Sequence, residues 1–186
     1  MSSTLKARLI ARARLRRLRK DEAGVSAVEF AIIAPFMALL FFGCIELSML
    51  MQAERKVTST ASTLGDLVAR SIVVDSDDLD DIFAASAFVV QPLDSSQARL
   101  RVTSVIDNEG VAEVDWSEAS TNWSARSEGS AVSLPAGVLA EDTSVIYAEV
   151  EYDYTSPLGF FLKGEQGLTE EFYVRPRRVN AVTYED

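Results

Sequence analysis

GVSAVEFAIIAPFMALLFFGCIELSMLM, residues 24–51, decides the architecture of this 186-residue chain. From Phe30 to Ile45 it carries no charged residue. With its flanks, Val25–Met51 makes a helix of roughly 40 Å at ~1.5 Å per residue, enough to cross a hydrocarbon core about 30 Å thick. Glu29 and Glu46 lie near the two ends of the run, where each can sit toward an interface. Pro35 is tolerable in such a helix, where it can kink the axis. The expectation is a transmembrane helix over residues 25–51, and the unexplained feature is a carboxylate, Glu29, a few residues inside it.

The flanks differ in charge. Residues 1–24 hold eight Lys and Arg against Asp21 and Glu22, a net of +6. The chain as a whole is at −10, so the remainder carries −16. By the positive-inside rule the basic arm stays cytoplasmic and the acidic body, residues 52–186, lies across the membrane. An acidic body argues against a nucleic-acid partner, because phosphate binding needs Lys and Arg.

Several chemistries are excluded by composition. The chain has one cysteine and no histidine. It can form no internal disulfide and no His/Cys zinc site, and it has no Ser-His-Asp or Cys-His pair. Nucleotide-binding glycine motifs are absent, and no carboxylate spacing marks an acid–base pair. The expectation is a protein that is not an enzyme, with no cofactor and no metal. Cys44 reads as a small apolar side chain.

Beyond the membrane run, Leu47, Leu50, Val57, Ala61, Leu64 and Val68 recur mostly at three- and four-residue steps, which predicts one helix over about 25–71. Asp75 or Ser76 caps a second helix, and Asp77, Asp78, Asp80 and Asp81 suit its positive end better than a calcium loop. Leu79, Ile82, Phe83, Ser86 and Val90 share one face, and Pro92 marks a stop. Strands follow. Leu100, Val102 and Ile106 alternate onto one face, as do Ala112, Val114 and Trp116, with Asp107–Gly110 as the hairpin turn. Residues 117–142 read as a long surface connection, in which Asn122 heads a sequon-like triplet. Ile146, Ala148, Val150, Tyr152 and Tyr154 point inward, and Glu149, Glu151 and Asp153 outward. A closing strand ends near Pro176. The fold class is α+β: a long helix, a second helix, and a mainly antiparallel sheet of about four strands packed on the helices. Leu158, Phe160, Phe161 and Leu162 read as a lid on the core in preference to an exposed contact. Arg175, Arg177 and Arg178 either pair with local carboxylates or face a neighbouring subunit.

Gly24, four residues, Glu29 and Phe30 at the head of an apolar helix, behind a basic leader, form a specific pattern. It resembles the processing site of Tad/Flp-type pseudopilins, and the chain is similar to the TadE-like family of Tad (type IVc) pilus proteins. A carboxy-terminal Phe172-Tyr-Val-Arg-Pro-Arg177 ending adds to the resemblance. A cleaved secretory signal would have a shorter core and a small-residue cut site. An Arg-rich mitochondrial presequence is a further competing reading of residues 1–20.

The resemblance implies a bacterial inner-membrane protein with a pseudopilin-like domain and a periplasmic carboxy-terminal body. A prepilin peptidase would cut after Gly24, remove the leader 1–24 and leave Val25 as the new amino terminus. The implied partners are that peptidase, other Tad pilins and pseudopilins, the inner-membrane assembly platform and membrane lipid. Adhesion would follow indirectly from the pilus. The resemblance also gives Glu29 a role in subunit register. A free α-amine is largely protonated at neutral pH. At ~4 Å and an effective dielectric of about 20, it attracts a carboxylate by roughly 4 kcal/mol before desolvation. The alternative is an uncleaved, single-pass, membrane-anchored periplasmic binding or sensor module.

Overall fold

The computed structural model describes residues 22–120, 123–141 and 143–185. The predicted leader, up to Asp21, and the sequon residue Asn122 lie outside the described residues. The chain divides between Ile45 and Glu46. Among the described residues the first unit is the amino-terminal part of one helix, and the second is an α+β body.

Helix α1 spans Glu22–Arg70, 49 residues with Pro35 inside it. It is long and apolar enough to cross a membrane, with a mean hydropathy of 2.3 over its most apolar window. In the body, Val57, Ala61, Leu64 and Val68 are fully buried on one face, as the stripe predicts, and Ala53 is buried with them. Leu47, expected to head that stripe, is exposed. At 3.6 residues per turn it lies about 80° from Val57, whereas Glu46 lies within about 20°. The buried face therefore begins with a carboxylate.

After α1 come β1 (Val73–Val74) and α2 (Ser76–Val89). Asp75 is the N-cap of α2, its Oδ1 accepting the Asp78 N–H at 2.7 Å. Asp77 and Asp78 occupy the first turn, where the helix dipole favours negative charge. Leu79, Phe83, Ser86 and Val90 are buried, and Ile82 is partly buried against them.

Four strands form an antiparallel sheet in the order β3-β2-β4-β5: β2 Ala98–Asn108, β3 Val111–Ala119, β4 Ser144–Thr155 and β5 Glu165–Val174. Glu109 and Gly110 join β2 to β3 with φ of 53° and 88°, the backbone of a two-residue hairpin whose twist matches the strands. A short parallel pair, β1 with β6 (Thr183–Tyr184), was not foreseen. It is held by the Trp116 indole N–H, which donates to the Val182 carbonyl at 2.7 Å, and by the Trp116 ring stacked on Tyr184.

One face of the sheet carries Leu100, Val102, Trp116, Ile146, Ala148, Val150, Tyr152 and Tyr154 in a core with α1 and α2. The approach is close at Gly65. A Cβ there would lie 2.9 Å from the Phe172 ring and 3.2 Å from Val174.

Two expectations about the sheet need correction. The β2–β3 register slips between Ser104 and Val105, and such a bulge changes which side chains share a face. Trp116 joins the helix-side core while Ala112 lies against a second cluster on the other side. That second face was expected to meet solvent, but the 123–141 connection folds back over it. Val114 N–H donates to Ser130 O at 2.9 Å, Gly129 N–H to Val114 O at 2.8 Å, and Val132 N–H to Ala112 O at 2.8 Å. Val105, Val145 and Tyr147 are buried there with Val132, Leu134, Val138 and Leu139 around them. Glu149, predicted to face outward, is on that face and is buried under the same cover.

Candidate functional site

Gly24, Val25, Glu29 and Phe30 all lie in the first turns of α1 and are exposed. Val25 and Glu29 are four residues apart, so they share one helix face. A Cβ added at Gly24 would meet nothing within 4 Å. Packing therefore does not demand glycine there, and glycine inside a helix costs about 1 kcal/mol relative to alanine. Cys44 is also exposed on this helix.

Glu46 opens the body and is 1 % exposed. Its Oε1 accepts the Phe160 backbone N–H at 2.7 Å and the Ser156 hydroxyl at 3.0 Å. Its Oε2 accepts the backbone N–H groups of Phe161 at 2.8 Å and Leu162 at 3.1 Å. Three consecutive amides and a hydroxyl thus converge on one carboxylate. A buried carboxylate is tolerable only when its lone pairs are filled in this way. The arrangement pins the β4–β5 loop to α1. No sequence motif announces it, since its donors are backbone groups. The available signal was the helical position of Glu46, in line with the buried stripe.

The same loop was expected to close the core. Instead Leu158, Phe160 and Phe161 are exposed, the two rings at 61 % and 51 %. The physical reason is the Glu46 cradle: with the amides of 160–162 turned toward the carboxylate, the loop's conformation is set by those bonds and not by burial of its side chains.

Of the three carboxy-terminal arginines, Arg177 pairs with Asp66 of α1, which also holds Arg70 at 2.8 Å. The Arg177 backbone N–H donates to Ala69 O at 2.9 Å. Arg175 and Arg178 are exposed. Arg177 thus has a local carboxylate partner.

On the covered sheet face, Glu149 receives Arg101 through two bonds of 2.7 Å and Arg126 at 2.8 Å. The Arg101 guanidinium lies 4.0 Å from the Trp123 ring centroid. Burial by itself pushes the Glu149 carboxyl up, but the two guanidiniums outweigh it and hold the group below the usual carboxylate value. Tyr147 stacks on Tyr173 at 4.7 Å. Burial is the main cause that pushes the Tyr173 hydroxyl up to about 12.

A cavity of about 390 Å³ lies within the body, lined by Met49, Ala53, Lys56, Leu93, Tyr152 and Pro157 among others. Among the described residues no group of three or more acidic or cysteine side chains is placed to hold a metal ion.

No curated protein and no solved structure matches the chain. A family model does. It covers residues 24–64, from the glycine of the predicted processing motif into the buried stripe of α1, and over that stretch the chain is similar to the family described as TadE-like protein.

Proposed function

We propose that this chain is a minor pseudopilin taking part in assembly of a Tad (type IVc) pilus, with adhesion following from the pilus. The observation that carries the reading is the TadE-like match, which opens on Gly24. In this reading a prepilin peptidase cuts after Gly24 on the cytoplasmic side, residues 25–51 remain in the inner membrane, and residues 52–186 form the periplasmic body. The bare backbone at Gly24, which packing does not require, supports a role in peptidase access. The exposure of Glu29 supports its use by a neighbour. Cleavage would place the new Val25 amine on the same helix face as Glu29, where the pair can set the axial register between subunits. Exposed Arg175 and Arg178 remain offered for subunit contact, while Arg177 already has Asp66.

The test compares protein size and pilus formation in wild type, Gly24→Asp and Glu29→Ala in cells containing the peptidase. A pseudopilin predicts a leader-bearing form for the first and an assembly defect for the second. Normal size and normal pili in both would contradict it. The body cavity favours a second reading, an uncleaved membrane-anchored binding or sensor module. That reading predicts neither effect.

A further inference from the structure

We propose that the β4–β5 loop is a lipid-contacting element, with Leu158, Phe160 and Phe161 entering the interface of the bilayer that α1 crosses. The proposal rests on the reading of α1 as a membrane anchor. Its own observation is the Glu46 cradle. The charge-free run of α1 ends at Ile45, and Glu46 is the next residue. Three backbone amides and the Ser156 hydroxyl fasten the loop to that carboxylate. The loop is therefore held at the level of α1 where the apolar run stops.

What it presents there is apolar. Both phenylalanine rings and Leu158 are exposed, and on α1 at the same level so are Leu47 and Met51. Exposed apolar groups gathered in one place mark a contact surface. Lys163 follows directly and is exposed. Its long stem can follow the apolar loop while its ammonium reaches phosphate headgroups. Lipid is favoured over a protein partner because the loop is fastened to the residue that directly follows the charge-free run in sequence, and what it exposes there is apolar. A mobile loop could fold its rings away, but this backbone is tied at three successive amides. The rings are thus presented to the interface before any contact is made.

The experiment uses the full chain reconstituted in liposomes, in a Cys44→Ser background, with an environment-sensitive fluorophore at Phe161→Cys or, separately, at Phe160→Cys. Ser133→Cys, exposed in the 123–141 connection, serves as the aqueous control. A label at the native Cys44 reports on the helix. The expected result is strong quenching at 160 and 161 by nitroxide lipids, with weak quenching by iodide, and the opposite at 133. If 160 and 161 behave like 133 while Cys44 is lipid-quenched, the loop proposal is wrong and the anchor reading survives. If Cys44 also escapes the lipid quencher, the anchor reading itself fails. Shielding of 160 and 161 from both quenchers, relieved by diluting the protein in lipid, would overturn the proposal in favour of contact with a second copy of the chain.

Discussion

The Glu46 carboxylate on α1 accepts the Phe160 backbone N–H at 2.7 Å, across 114 residues of sequence. It ties the amino-terminal end of the body's part of α1 to the tip of a hairpin. Removing it leaves three amides without their acceptor. Glu46→Ala should speed amide exchange at 160–162 several-fold relative to the β4 and β5 amides. Glu46→Gln should behave more like Ala than like Glu, because its amide nitrogen meets donors where an acceptor is needed. Exchange measured by mass spectrometry decides, and unchanged protection in both variants would remove Glu46 as the anchor.

Gly65→Ala sets two effects against each other. Helix propensity favours alanine by about 1 kcal/mol. The new Cβ would fall 2.9 Å from the Phe172 ring, and overpacking of this kind costs about 1–3 kcal/mol. The clash should win, with a net loss of about 1 kcal/mol in denaturant unfolding. Combining it with Phe172→Leu should recover part of the loss. A stabilised single variant would mean that the helix–sheet contact yields freely.

Glu149 should shape the acid limb of the stability curve. Its folded-state value lies below the ordinary 4.5. The stability it contributes is complete above the unfolded-state value and is lost as pH falls through the folded-state value. Asp115 has the opposite sign: burial, with Glu128 nearby, pushes it up, so it favours the folded state as pH falls. Comparison with Glu149→Gln isolates the first effect. The variant should be less stable at pH 7 by about 3–5 kcal/mol, as expected for removing one partner of a buried ion pair, and the difference from wild type should narrow below pH 4.5. A constant difference down to pH 2.5 would contradict this.

Trp116→Phe tests the unforeseen β1–β6 pair. It removes the indole donor to Val182 at 2.7 Å and leaves a carbonyl at a fully buried residue, a loss worth about 1–3 kcal/mol. Proteolytic nicking after residue 178 should rise well before global unfolding. Unaltered resistance would show that the stacked rings and strand pairing suffice.

Patterns of side chains were legible in the sequence, and backbone partnerships were not. The stripe from Val57 to Val68, the Asp75 cap and the alternation of β4 follow from helical and strand periods, and the structure contains them. Leu47 misled because its three-residue step to Leu50 looked regular, while its angular position put Glu46 on the buried face instead. The Glu46 site stayed hidden because its donors are amides of residues 160–162, whose side chains are Phe, Phe and Leu. The outward assignment of Glu149 was correct for its strand face, but strand alternation does not say whether a distant connection covers that face. The bulge at Ser104/Val105 is likewise a backbone event with no side-chain signature.

The central claim is that Gly24 marks a cut and that Glu29 meets the amine the cut creates. Intact-mass and amino-terminal sequencing of the protein extracted from membranes of cells containing the prepilin peptidase tests it most directly. The account predicts a mature chain beginning at Val25. A chain that still carries the basic residues 1–24 in those cells would contradict it.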